Sequence, residues 1–238
     1  MWTLKKREVF QEIFRHRIKN IYTLIRNALS LDNAVIIKED DNYLFVDDKE
    51  AAIFYIVVKQ VDKTLDSLIA NAINYEPTVS VISEVKLDIS ANNAFKCFRE
   101  TYQYSYTGKP FVLDVPYQIS ELTLNDYDYL KSHYYRNGDD ESYLKECIRR
   151  GMLKAHYGKI IIGFVGEHPE HALGLLFVDE NYRRQGIGGS LEKAMINKTL
   201  GEGRVPIEHV VITNESSKKL QASIPDMEKD DGYVYWYF

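Results

Sequence analysis

No glycine precedes Gly108, so all 13 of the chain's glycines lie in the remainder. A backbone that wraps a phosphate or takes positive φ draws on glycine. The first half therefore carries no Gly-x-Gly phosphate loop. Cysteine is scarcer still: only Cys97 and Cys147 are present, far apart and in no metal-binding or redox spacing. Two thiols cannot staple a chain of 238 residues, which points to a reducing compartment. No run approaches the roughly 18 apolar residues of a membrane helix, and the first residues lack the apolar core of a signal peptide. The expected location is cytoplasmic, with no membrane partner. An excess of positive charge is missing too. The formal charge of -5 argues against nucleic acid, whose phosphates need a concentrated basic face. The basic run Lys5, Lys6, Arg7, Arg15, Arg17 and Lys19 reads as the solvated face of an amphipathic helix. No Gly-x-Ser-x-Gly elbow occurs and neither cysteine has an activating neighbourhood, which disfavours covalent catalysis.

What is present is ordinary for a globular protein: 45% hydrophobic and 27% charged residues, and no low-complexity segment. The length suits one large domain or two small ones. A helical apolar spacing runs from Arg7 to Leu29. Strand-like runs follow at Ala34 to Ile37, Tyr43 to Val46 and Ala52 to Val58, then a helix at Val61 to Ile73 and a strand at Val79 to Leu87. Ala91 to Tyr106 is ambiguous between helix and strand. The turn Thr107-Gly108-Lys109-Pro110 suggests a first unit over residues 1–114 and a second over 115–238.

The second half alternates more regularly. A strand at Tyr117 to Thr123 precedes helices at Asn125 to Tyr135 and Ser142 to Arg150, broken by Asn137-Gly138-Asp139-Asp140. A hairpin of Met152 to His156 and Ile160 to Val165 leads to the apolar strand Ala172 to Val178. A helix then runs to about Gly201, followed by a strand at Ile207 to Thr213, a helix at Asn214 to Ser223 and a strand at Tyr233 to Phe238. Hairpins mixed with helices imply an α+β unit around a mixed sheet.

The chemistry concentrates in Arg183-Arg184-Gln185-Gly186-Ile187-Gly188-Gly189, between that apolar strand and a helix. The glycines leave room for a phosphate against the backbone. The first amides of the following helix have no intrahelical acceptor and point outward at the positive end of its dipole. Arg183 and Arg184 add charge at the rim. A dinucleotide fingerprint would need a glycine where Leu191 stands, and a Walker loop would need a lysine after Gly189.

Phe177-Val178-Asp179-Glu180-Asn181-Tyr182-Arg183-Arg184-Gln185-Gly186-Ile187-Gly188 resembles the acetyl-CoA motif of the GNAT superfamily of N-acyltransferases. Asn214-Glu215-Ser216-Ser217-Lys218-Lys219-Leu220 resembles that family's Asn-x-x-Ser-x-x-Leu segment. The stretch Gly166 to Leu176 is similar to the glycine-N-acyltransferase-like branch. The resemblance spans roughly Tyr117 to Phe238 and implies a splayed, mixed sheet flanked by helices, after a smaller α/β half without a cofactor loop. It implies an acetyl-CoA co-substrate, no metal, and transfer to a primary amine of a small molecule or amino acid. The backbone of Phe177 and Val178 would hold the pantetheine arm. Arg183, Arg184, Gln185, Gly186, Ile187, Gly188, Gly189 and Ser190 would hold the pyrophosphate, with Asn214 and Ser217 beside the arm. Many family members carry a tyrosine after the Leu220 position, where it can protonate the leaving thiolate; here Gln221 stands there.

An ammonium acceptor must lose a proton before attack. The family places its base on the strand leading into the loop, whose entrance here is Glu167-His168-Pro169-Glu170-His171. Glu170 is the first candidate and His168 the second. His156, His168, His171 and His209 lack the spacing of a zinc pair. Tyr102 to Tyr106 reads either as the wall of an acceptor pocket or as one packed and one solvated face. A non-catalytic acyl-CoA sensor on the same scaffold is the alternative, and a homodimer is left open.

Overall fold

The computed structural model describes residues 21–31, 34–39, 43–49, 51–58, 80–87, 98–134 and 141–238. The expected helix at Val61 to Ile73, the opening basic run, Cys97 and the turn at Asn137 to Asp140 lie outside the described residues. In chain order the elements are α1 (Ile21–Ser30), β1 (Ala34–Glu39), β2 (Tyr43–Asp48), β3 (Ile53–Val58), β4 (Ser80–Ser83), β5 (Phe98–Tyr106), β6 (Gln118–Glu121), α2 (Tyr127–His133), α3 (Glu141–Arg149), β7 (Leu153–Tyr157), β8 (Ile160–Glu167), β9 (Leu173–Val178), α4 (Ile187–Gly201), β10 (Ile207–Val211), α5 (Glu215–Ala222), β11 (Met227–Lys229) and β12 (Val234–Tyr237). Among the described residues no helix is long and apolar enough to cross a membrane.

The chain forms two compact units. The first gathers Met1–Gln103, His209–Asn214 and Lys229–Phe238. In it α1 buries Ile21, Leu24, Ile25, Ala28 and Leu29, a stripe at helical spacing. Its strands pair antiparallel from β1 to β2 to β3, parallel from β3 to β4, then antiparallel through β12 to β5. Of the ambiguous segment Ala91 to Tyr106, the described residues from Phe98 on form the strand β5. Strand β12 lies between β4 and β5, matching Trp236 with both Ile82 and Arg99. Tyr102 stacks on Tyr233, with ring centres 5.3 Å apart. Buried Tyr237 receives a hydrogen bond from the Leu87 amide at 2.7 Å, and burial pushes its phenol up to about 12.

The second unit holds Tyr104–Glu208 and Glu215–Glu228. Strands β6, β7, β8 and β9 pair antiparallel in sequence, and β9 pairs parallel with β10. Helix α4 packs on one face of this sheet, where Ile187, Leu191, Met195 and Ile196 join Ile162, Val165 and Leu173. On the opposite face Leu130 of α2 and Leu144, Cys147 and Ile148 of α3 join Phe164 and Leu175. The result is the expected mixed sheet with helices on both faces.

Strand β9 contains the irregularity that shapes the site. Gly166 pairs with Gly174 but Phe164 pairs with Phe177, so β9 carries one extra residue opposite β8. The extra residue falls at Leu175, a leucine at φ 50°. A bulge of this kind re-aims the side chains beyond it. Leu173 faces the α4 side, Leu175 and Phe177 the α2 side, and Leu176 and Val178 the α4 side again. The register of β9 with β10 comprises the single pair Leu173–Glu208, immediately before the bulge. Two parallel strands that part after one pair form the splay that the GNAT resemblance implies.

Candidate functional site

Beyond Val178 the chain turns sharply. The Asp179 side chain accepts the Asn181 amide at 2.9 Å and caps a short 3-10 turn, Glu180–Tyr182. Arg184 (φ 64°) and Gly186 (φ 80°) both take left-handed backbone to swing the chain into α4. Gly186 caps α4 without any side-chain bond. Its carbonyl accepts the Ser190 amide at 3.0 Å, opening the helical ladder. The amides of Ile187, Gly188 and Gly189 thus stand at the helix start, where no intrahelical acceptor exists.

The glycines differ in what they do for the fold. Gly186 needs its backbone freedom. At Gly188 an added Cβ would lie 3.7 Å from Val178 Cγ2, and at Gly189 it would lie 4.0 Å from Leu220 Cδ1. These are ordinary contacts, so the protein's own packing demands glycine at neither place. Backbone amides at a helix start, with no side chain at Gly188 or Gly189, fit an anionic phosphate.

The two arginines expected at the rim differ from each other. Arg183 folds back on the loop: its Nε donates to the Val178 carbonyl at 3.0 Å and its Nη1 meets Glu180 Oε1 at 3.2 Å. Arg184 is exposed, as are Gln185 and Asn214, while Ser190 and Ser217 are half-buried. Ser217 sits in the first turn of α5, and Asn214 directly precedes that helix. Phe177 is stacked on Phe164, with centres 5.1 Å apart, and Val178 packs towards α4.

The entrance to β9 divides its acidic and basic residues. Glu167 is buried and committed: Arg204 Nη2 donates to both its oxygens at 2.9 Å, Thr199 to one at 2.9 Å, and His171 Nδ1 lies at 3.2 Å. Burial would raise this carboxyl, but His171 and Arg204 hold it below the ordinary carboxylate range. Glu170 lies in the turn between β8 and β9 and is 5% exposed. His168 packs its ring over Gly174, where a Cβ would stand 2.4 Å from Nε2, and its Nδ1 meets Tyr143 Oη at 2.6 Å. Three of the five non-glycine residues with positive φ among the described residues are His171, Leu175 and Arg184, before, within and after β9. Strained backbone of this sort concentrates at functional segments.

The other histidines have structural partners. His156 bonds Ser120 at 3.0 Å and the Gly158 carbonyl at 2.8 Å. Trp236 donates to His209 Nδ1 at 3.1 Å, and His209 Nε2 meets Gln103 Oε1 at 3.0 Å, which fixes a neutral ring. Among the described residues no group of three His, Cys, Asp or Glu side chains could hold a metal ion. The tyrosine run of β5 is buried from Gln103 to Tyr106. Strict alternation fails there because both faces are covered.

Sequence reasoning missed a buried polar trio. Glu192 of α4, Glu208 of β10 and Gln221 of α5 meet inside the second unit, where Gln221 Nε2 donates to Glu208 Oε2. A signal was available. Glu192 lies at helical spacing with Met195, Ile196 and Thr199, all buried.

Comparison with known proteins agrees with this architecture. Residues 150–230 match the family described as FR47-like protein. No curated protein sequence matches the chain. A Drosophila protein of known structure superimposes with a TM-score of 0.69 at 15% identity, over 100% of this chain and 97% of that one. A GCN5-related N-acetyltransferase-like protein from Streptococcus suis gives 0.57 at 12%, covering 98% of each chain. An acetyltransferase from the GNAT family from Colwellia psychrerythraea gives 0.51 at 11%, over 100% of this chain and 98% of that one. The chain has the GNAT fold.

Proposed function

We propose that the second unit binds an acyl-CoA and transfers its acyl group, acetyl in the simplest case, to a primary amine of a small molecule or amino acid. The observation that carries this reading is the start of α4, which Gly186 caps in left-handed backbone with no side-chain bond, leaving the amides of Ile187, Gly188 and Gly189 without an intrahelical acceptor. Charge-assisted bonds from backbone N–H to phosphate are worth about 1.5–3 kcal/mol each, so three of them anchor a pyrophosphate. Arg184, Gln185 and Ser190 rim this cradle, and Arg183 braces its loop. The edge of β9 freed by the Leu175 bulge offers the backbone of Phe177 and Val178 to the amides of the pantetheine arm, with Asn214 and Ser217 at its side. Glu170, with His168 second, takes the proton from the attacking amine.

Calorimetry with coenzyme A tests the cradle. The parent binds, and Gly188→Glu, whose side chain intrudes on the phosphate, loses about 2 kcal/mol or more. Unchanged affinity in folded Gly188→Glu refutes the assignment. Thiol release from acetyl-CoA across a panel of amines separates an enzyme from a sensor, which binds without turnover.

A further inference from the structure

Two carboxyl groups, Glu192 and Glu208, are buried against each other in the second unit, and no cation among the described residues pairs with them. Glu192 is 1% exposed and Gln221, beside them, 0%. The carboxyls of Glu192 and Glu208 hydrogen-bond each other, which requires a proton between them. Burial raises Glu192 to about 7. Burial, then the charge of Glu192, raises Glu208 well above the ordinary carboxylate range. Glu192 Oε1 and Gln221 Oε1 have no hydrogen-bond partner although both are buried. An unmet buried acceptor costs about 1–3 kcal/mol, so packing alone gives no reason to retain the trio.

Position supplies one. Glu208 is the residue of β10 in register with Leu173, at the point where the two strands part. The phosphate cradle lies at the other end of β9, just past Val178. The arm of an acyl-CoA between phosphate and sulfur is about as long as four residues of extended backbone. An arm laid back along β9 from the cradle therefore brings its sulfur to the Leu173 end of the strand. We propose that the Glu192–Glu208 pair, steered by Gln221, is the proton donor to the sulfur that leaves the thioester. This rests on the acyl-CoA reading above.

In the step, the amine nitrogen bonds to the thioester carbon and the carbon–sulfur bond breaks. The sulfur keeps the electron pair and takes the proton shared by the two carboxyls. Glu170 takes the proton shed by nitrogen and releases it to solvent, and the carboxyl pair regains a proton from water. A thiol of ordinary pKa about 8.5 ends protonated near neutrality, so an acid that supplies the proton as the bond breaks lowers the barrier, and a positioned acid of this kind contributes roughly a hundredfold.

The test is thiol release from acetyl-CoA with ethylamine as acceptor, in the full chain, from neutral to alkaline pH. Glu208→Gln is expected to run at about one hundredth of the parental rate at neutral pH. That ratio climbs as pH rises, because the parent loses the shared proton and with it the advantage. Glu192→Gln removes the negative charge that raises Glu208, so the parent's alkaline loss moves to lower pH. Thermal melting and coenzyme A calorimetry confirm folding and binding, and Glu192→Gln carries the test if Glu208→Gln does not fold. Variants that bind coenzyme A and keep the parental rate and pH profile overturn the donor role alone. A parent that binds no coenzyme A overturns the acyl-CoA reading and this inference together.

Discussion

Glu167 and Glu170 stand three residues apart in one hairpin, and their surroundings give them different work. Glu167 is saturated by Arg204, Thr199 and His171 and fastens the end of β8 to the segment after α4. Removing it would leave the Arg204 guanidinium buried without its main partner, a structural loss. Glu170 is buried at the mouth of β9. Glu170→Gln keeps size and polarity while deleting the proposed base. It should lower kcat at neutral pH by roughly a hundredfold, with coenzyme A affinity nearly unchanged by calorimetry. The loss should shrink as pH rises, since more of the amine then arrives deprotonated. A parental rate across that range passes the role to His168.

At the scale of elements, the start of α4 separates glycine needed for the fold from glycine spare for a ligand. Gly186→Ala forces a Cβ into left-handed backbone and should cost about 1 kcal/mol of stability. Gly188→Ala meets only ordinary contacts and improves helix propensity, so it should raise stability by up to about 1 kcal/mol while weakening coenzyme A binding. Denaturant unfolding and calorimetry on the pair check both signs. The loop was legible in sequence because glycine spacing after an apolar strand is local information. The two facing carboxyls were not, since Glu192 and Glu208 come from a helix and a strand that meet only in the tertiary fold. Leu175 was equally opaque. Leu173-Gly174-Leu175-Leu176-Phe177-Val178 reads as one smooth apolar run, and only the pairing with β8 reveals the extra residue. Arg183 illustrates a further limit: its position in the motif was plain, but the Val178 carbonyl and Glu180 claim its guanidinium.

On the scale of the whole molecule, the glycine-free opening has a measurable consequence. With no glycine before Gly108, the first unit's opening segment has no counterpart of the α4 cradle in its sequence. Titration should therefore give one coenzyme A per chain, and a stoichiometry near two would contradict this. The path of β12 has another consequence, in the timing of synthesis. Its four residues sit between β4 and β5, so the inner strands of the first unit's sheet come from opposite ends of the chain. Domains generally fold as they emerge, the amino-terminal one first. Here β4 and β5 must wait, their facing edges unpaired, until Val234–Tyr237 have been made. During that interval the bare strand edges are what a chaperone would have to guard.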